Sequence, residues 1–399
     1  MITLLQGIRV MDLTTILSGP YATRFLGDLG AEVIKVEPPG GDLLRQADGG
    51  RSRGMGAAYL NCNRNKRSIV IDLKHAAGGE ILHRLARTAD VFVHNMRPKS
   101  AQKLGIGYDE LRRIKADIVY CYACGFGQGG RMQDNPAYDD IVQAVSGLAF
   151  LNAQSREEPR YLPNVICDKI AGLHLAIGIL AGVLSRNRTG DSVCIEAPMF
   201  ESMVSFLFVE LLGGKTFDPP LGGIGYHRLN SPFRKPFRTK DGFLSILPYS
   251  TGQWQRFLRL VGQAELAEDE SVRDSTQRSQ NIDSLYRLIA DVAPGRTTAE
   301  WHKALGELDI PCADVNKPED LLKNPHLLDV GLFQAVDHPS EGRLQSVRAP
   351  LRVTGATTEA DHPAPGLGTN GAQILREAGF TEAEIAGAVE TGAVRLFEA

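Results

Sequence analysis

The sequence predicts an α/β fold, a large doubly wound parallel-sheet domain with a smaller α+β domain. Three observations predict it. Strand-like runs alternate with helical stretches of about ten to fifteen residues through the first third of the chain, the pattern of a parallel sheet with crossover helices. Glycine and proline then crowd into Asp218-Pro219-Pro220-Leu221-Gly222-Gly223-Ile224-Gly225, where composition shifts. Beyond it, a hairpin turn and several amphipathic helices replace the alternation. A chain of 399 residues has room for two domains and a large core. Residues 1–224 plus 326–399 read as the large domain and 225–325 as the small one.

Ile8–Asp12 reads as the first strand, followed by a helix over Tyr21–Leu29 opened by Gly19-Pro20. Glu32–Val36 is a second strand, closed by Pro38-Pro39-Gly40-Gly41. Ser68–Leu73, Asp90–His94 and Ala116–Cys124 are further strands, with a helix over Ala76–Ala89. A long apolar helix beginning near Asp168 stops at Arg188-Thr189-Gly190-Asp191, where Gly190 suits a left-handed cap. Ser192–Ala197 is a strand and Met199–Leu212 a helix. Thr239-Lys240-Asp241-Gly242 turns into a strand over Phe243–Pro248. Thr251–Val261, Ser279–Val292 and Thr298–Glu307 are amphipathic helices, and Ile310–Val315 closes the small domain. Thr381-Glu382-Ala383-Glu384 is a capping box for the last helix.

Composition narrows the function. The chain is 43% hydrophobic and 23% charged with a net charge of −3, and its basic residues are scattered, which argues against nucleic acid. The N-terminus enters a strand-like run at Ile8 after a few residues and lacks the regions of a signal peptide. The longest apolar stretch, Ile170–Leu184, is interrupted by His174 and three glycines and reads as a core helix, so no membrane is expected. Six scattered cysteines suit a reducing cytoplasm. Cys121 and Cys124 form a CxxC within a strand, where alternation sends them to opposite faces, poor geometry for a redox pair or a metal. The first strand turns through Leu13-Thr14-Thr15-Ile16-Leu17-Ser18-Gly19-Pro20, which has no G-x-G-x-x-G, so a nicotinamide cofactor is not expected. The run Gly125-Phe126-Gly127-Gln128-Gly129-Gly130 is followed by Asn135-Pro136 rather than a helix and reads as a mobile loop.

Asp168 is the residue most suggestive of chemistry, a single carboxylate at the mouth of an apolar helix. It can be an N-cap, accepting the free N–H groups of the first turn. It can also be a nucleophile, kept ionised by the helix terminus and partly stripped of water. The two readings are compatible.

Several segments, taken together, resemble the family III CoA-transferases, the group of the formyl-CoA:oxalate and carnitine CoA-transferases. They are Gly7-Ile8-Arg9-Val10-Met11-Asp12-Leu13, Gly19-Pro20, Leu26-Gly27-Asp28-Leu29-Gly30-Ala31-Glu32-Val33-Ile34-Lys35-Val36-Glu37, Asn63-Arg64-Asn65-Lys66-Arg67-Ser68, Val93-His94-Asn95-Met96-Arg97-Pro98, Pro136-Ala137-Tyr138-Asp139, Asp168-Lys169-x-Ala171-Gly172 and Ala364-Pro365-Gly366-Leu367-Gly368. The resemblance runs from about residue 4 to 380. It implies transfer of CoA from an acyl-CoA donor to a free carboxylic acid through covalent aspartyl intermediates on Asp168. It further implies CoA contacts at Leu17, Ser18, Ile71, Lys74, Asn95, Met96, Arg97, Lys103, Ala137 and Tyr138. The glycines Gly222, Gly223 and Gly225 resemble a mobile active-site loop, with an interdomain linker as the equal alternative. An interlocked homodimer is implied, with no metal and no permanently bound cofactor, the CoA thioester being substrate. The rivals are an α-methylacyl-CoA racemase and a catalytically silent CoA-binding protein. Tyr138 stands where the racemases carry a proton-shuttling His, and a phenol is a poor shuttle at neutral pH. His94, His174 and His227 read as surface or core-edge histidines.

Overall fold

A computed structural model describes residues 1–47, 49–153 and 158–397. The chain divides into two compact units, one of Met1–Ala149, Tyr161–Phe206 and Leu328–Ala399, the other of Phe150–Arg160 and Leu207–Leu327. The limit expected at residue 224 falls inside the second unit.

The first unit is built on β1 (Arg9–Leu13), β2 (Glu32–Glu37), β3 (Lys66–Ile71), β4 (Val91–His94), β5 (Val119–Cys124) and β6 (Val193–Pro198). They lie in the order 3-2-1-4-5-6, all parallel, and the short strand Val394–Arg395 adds antiparallel to β3. This is the doubly wound order expected of alternating strands and helices. Both faces are covered, so the strands are apolar on both sides. Val10, Val33, Val91, Val93 and Cys121 pack under α1 (Ser18–Asp28) and the long helix α4 (Ile166–Thr189), whose Leu175 and Ile179 are buried there. Met11, Ile34, Ile69 and Phe92 pack under α2 (Ala76–Ala86) and the C-terminal helices Gly371–Glu377 and Glu382–Glu390. A further short helix, α3 (Asp139–Val145), precedes α4.

α1 begins at Ser18, three residues before the expected start, with Gly19 and Pro20 inside its first turn. Proline is tolerated there because first-turn N–H groups have no partner within the helix. α4 is long and apolar enough to cross a membrane by length and composition, yet half of its most apolar stretch is buried, and it packs on α1, β5 and β6 as a core helix. Gly190 ends it in the left-handed conformation, as its sequence suggests. The Thr381–Glu384 capping box is also formed.

The second unit holds an antiparallel sheet of β7 (Phe237–Arg238), β8 (Phe243–Ile246) and β9 (Cys312–Asp314), with β8 central. Trp254, Phe257, Ile289 and Trp301 fill its core, the last carried by α5 (Thr298–Glu307). The helix expected over Ser279–Val292 is two helices, Ser275–Gln280 and Ile282–Val292. Asn281 between them has left the helical conformation (φ −93°, ψ 11°).

Candidate active site

In an open parallel sheet, ligands bind beyond the carboxyl ends of the strands where the order reverses. Here that point lies between β1 and β4, and a cleft of about 240 Å³ opens there. It is lined by Ile16–Ser18 after β1, Asn95–Arg97 after β4, Cys124 and Gly125 at the end of β5, Ala137 and Tyr138 before α3, and Asp168 on α4.

Buried charges hold the β1 loop from below. Asp12 Oδ1 accepts from the Thr14 backbone N–H (2.9 Å) and hydroxyl (2.5 Å), and Lys35 Nζ donates to the Thr14 carbonyl at 2.9 Å. Lys66 Nζ reaches Asp12 Oδ2 at 3.1 Å. Burial alone would raise the Asp12 carboxyl, but Lys66 and Lys35 hold it down to about 2. From above, the Asn95 carboxamide accepts from Thr15 N–H (3.0 Å) and donates to the Thr15 carbonyl (2.8 Å), tying the β1 and β4 loops together. Between these anchors Ile16 is held at φ +68°, a costly conformation for a β-branched residue. Two residues on, the Ser18 hydroxyl is buried with no hydrogen-bond partner among the described residues.

His94 organises the β4 loop. Contrary to the expectation of a surface or edge residue, its ring is fully buried. Nδ1 accepts from the Met96 backbone N–H at 3.1 Å, and Nε2 lies 2.6 Å from the Tyr120 hydroxyl, which itself donates to the Ile106 carbonyl. This pattern places the hydrogen on Nε2. Burial pushes the ring down to about 4, so it stays neutral. By contrast, His174 and His227 are exposed, as expected.

The glycine run after β5 is anchored: Glu201 Oε1 accepts from Gly127 N–H at 2.9 Å and Glu196 Oε1 from Gln128 N–H at 2.7 Å. A side chain at Gly125 would meet the Ala137 methyl at 2.3 Å, so only glycine fits where these two strands of chain pass.

Asp168 is not an N-cap. The cap position of α4 is Val165, which caps nothing, and Asp168 is the third residue of the helix. The capping is done by Asp139, 29 residues earlier on α3, whose Oδ1 accepts from the Asp168 backbone N–H at 3.0 Å. Gln143 Nε2 donates to the other Asp139 oxygen at 2.7 Å. The Asp168 side chain is therefore free to face the cleft. Nor is it held in the ordinary ionised range expected of a helix terminus. Burial, then the Asp139 carboxylate, push it up to about 7, against a weaker pull from Lys169, whose Nζ is engaged by Asn164 at 2.8 Å. Gly172 lets α4 approach this closely: a Cβ there would sit 2.6 Å from the Ser18 carbonyl.

The nearby thiols are poor nucleophiles. Burial, then Glu196 and Glu201, push Cys124 up to about 12, and burial, then Asp139 and Asp168, do the same to Cys167. Asp168 is the carboxylate of raised basicity in the cleft.

The cleft thus brings together Leu17, Ser18, Asn95, Met96, Arg97, Ala137, Tyr138 and Asp168. It does not take in Ile71, whose side chain is in the core, nor Lys74 and Lys103, which are exposed after β3 and near the β4 loop. Gly222, Gly223 and Gly225 belong to the second unit, where Gly225 N–H donates to the Leu211 carbonyl at the end of the preceding helix at 2.6 Å and the Gly223 carbonyl accepts from Gly214 N–H, in the turn after that helix, at 3.0 Å. Sequence reasoning missed Asp139 and His94 as organising residues. The acidic start Asp139-Asp140 of a helix was the available signal for the first. Nothing local marked the second.

Residues 5–371 match the model of CoA-transferase family III. The chain is 32% identical to the mouse succinyl-CoA:glutarate CoA-transferase over 94% of its own length and 86% of that protein's. It is 31% identical to the succinyl-CoA:mesaconate CoA-transferase of Haloarcula hispanica, covering 94% and 96%. A solved CAIB/BAIF family protein from Brucella suis superposes with a TM-score of 0.77 at 29% identity, covering 95% of this chain and all of that one. With a parallel sheet of this order, a carboxylate cleft at its switch point and matches over nearly the whole length, the chain belongs to the family III CoA-transferases.

Proposed function

We propose that this CoA-transferase works through covalent intermediates on Asp168. The carboxylate attacks the donor thioester carbonyl, giving an acyl-aspartyl anhydride and CoA thiolate. The thiolate attacks the aspartyl carbonyl, giving an aspartyl-CoA thioester and releasing the donor acid. The acceptor carboxylate attacks that thioester, and the thiolate set free returns to the acceptor's carbonyl, leaving acceptor-CoA and free Asp168. The observation that carries this reading is the placement of a carboxylate of raised basicity in the switch-point cleft, with both neighbouring thiols held protonated. A racemase would need a proton shuttle near neutral pH, and Tyr138 is an exposed phenol.

Ser18, with its unsatisfied hydroxyl, and Arg97 are the groups we assign to CoA binding. Arg97 is exposed at the cleft, its fork open for a phosphate. Arg97→Ala is expected to raise the KM for acyl-CoA about tenfold, the worth of a charged hydrogen bond of about 1.5 kcal/mol, with kcat little changed. An equal loss in kcat would place Arg97 in the chemical step instead. Succinyl-CoA, the donor in the names of these relatives, is the first donor to assay, against a panel of carboxylic acids with the new thioesters identified by mass. We also propose a cytoplasmic homodimer, supported by six free cysteines and by exposed apolar residues of α4, Ile177 and Leu184. Light scattering giving a monomer would remove the dimer.

The nucleophile must be ionised to attack, so kcat/KM is expected to rise with pH through an apparent pKa near 7. The groups around Asp168 are Asp139 on α3, Lys169 on its own helix, and Arg97, Cys124 and Tyr138 around the cleft. Asp139→Asn keeps a capping oxygen for the Asp168 N–H and removes the charge. It should move the acid limb to lower pH. A pH–rate profile unmoved by this change would show that Asp139 is a cap alone.

A further inference from the structure

The second unit carries an ordered trio of side chains that CoA transfer does not use. Cys312 and Asp314 are two residues apart on β9, the outer strand of its sheet, so both side chains leave the same face. α5 sets His302 against them: Nδ1 lies 3.4 Å from Cys312 Sγ, and Nε2 lies 2.9 Å from Asp314 Oδ1. An ionised carboxylate can only accept, so Nε2 carries the ring hydrogen and Nδ1 presents a lone pair to the thiol. His302 spends one nitrogen on each partner, which makes the trio a line rather than a cage for a metal. Such an arrangement, a thiol on a base oriented by a third group, is how a cysteine is activated.

We propose that Cys312 is a base-assisted thiol and the protein's site of reversible mixed-disulfide formation with low-molecular-weight disulfides. The thiol proton passes to His302 Nδ1, and Sγ attacks one sulfur of R–S–S–R. A Cys312–S–S–R bond forms as the R–S–S–R bond breaks. The departing thiolate takes the proton from Nδ1 and leaves as RSH, so one half of the reagent is reduced as Cys312 is oxidised. Burial, then the Asp314 carboxylate, push the Cys312 thiol up, so the group rests protonated and its reactivity depends on the imidazole accepting the proton. Solvent reaches the site, with the His302 and Asp314 side chains 39% and 62% exposed. The other thiols lack this aid. Cys62, Cys121 and Cys167 are buried, and among the described residues neither Cys124 nor Cys194 has an imidazole within hydrogen-bonding reach.

The test treats the full chain with glutathione disulfide at neutral pH and maps adducts by peptide mass. Cys312 should carry the first adduct, released by dithiothreitol. His302→Gln should slow its formation at least tenfold and Asp314→Asn several-fold, while CoA transfer, which uses neither residue, persists as the check on folding. Faster modification of the exposed Cys194 in the unaltered protein would overturn the proposal. So would a rate at Cys312 that changes less than twofold in His302→Gln. If that variant does not fold, the Cys312-to-Cys194 rate ratio in the unaltered protein and the Asp314→Asn rate decide it alone.

Discussion

Asp168→Asn is expected to fold and to lose CoA transfer by several orders of magnitude. Position 168 is the third residue of its helix, and its structural duty is met by the backbone N–H, which Asn keeps, hydrogen-bonded to Asp139. What Asn lacks is an oxygen able to form an anhydride or a thioester. An Asn variant within about tenfold of the unaltered protein, roughly 1.4 kcal/mol of barrier, would remove the covalent mechanism. The intermediate should also be trappable. Donor given without acceptor should make the enzyme sensitive to hydroxylamine, with a hydroxamate found at Asp168 and nowhere else. A label on a cysteine would point to other chemistry. Stability supplies an independent reading. A carboxyl raised from 3.8 to about 7 binds more protons when folded than unfolded, so its stabilising share is complete below pH 3.8 and lost as pH rises through about 7. Asp168→Asn should therefore raise Tm at pH 8 and do so less at pH 5, the pattern of a site that trades stability for function.

Asp12→Ala is expected to destabilise the fold by about 3–5 kcal/mol, the usual cost of removing one partner from a buried ion pair. Asp12 is fully buried and accepts from Thr14, Thr23 and Lys66, with Lys35 also within its field. Its loss strands the buried Lys66 ammonium, whereas Lys35 keeps Asp42 at 2.8 Å, and it frees the loop that carries Ile16, Leu17 and Ser18. Denaturant unfolding would measure the first effect, and a raised KM for acyl-CoA the second. The sign of the pH dependence is fixed by the depressed pKa. Asp12 contributes stability above pH 3.8 and loses it as pH falls towards about 2. A variant with unchanged midpoint would mean that Lys66 finds another partner.

Much of this was legible in the residues. The β-branched runs and intervening helices marked the parallel sheet, because the local pattern suits a strand buried on both faces. Gly190 and Thr381 behaved as their chemistry demands, since a left-handed cap and a capping box are decided within one turn. The chain of motifs from Gly7 to Gly368 located the family and singled out Asp168. Other readings could not have come from the residues alone. The charges within those motifs, Asp12, Asp28, Lys35, Arg64 and Lys66, read as family marks, and only the fold shows that they are buried partners, Arg64 on Asp28 at 2.6 Å and Lys66 on Asp12 at 3.1 Å. The sequence also offered a cap at Asp168, whereas the fold brings in Asp139 to do the capping and so leaves the Asp168 side chain free and its pKa high. His94 looked like an edge residue because nothing beside it in the chain announces that Tyr120, 26 residues on, will close over it. Local conformation answers to neighbours in sequence, and the sequence alone settled it. Charge pairing, desolvation and the basicity of Asp168 answer to neighbours in space, which exist only once β1, β4, β5 and α4 have been brought to one edge of the sheet.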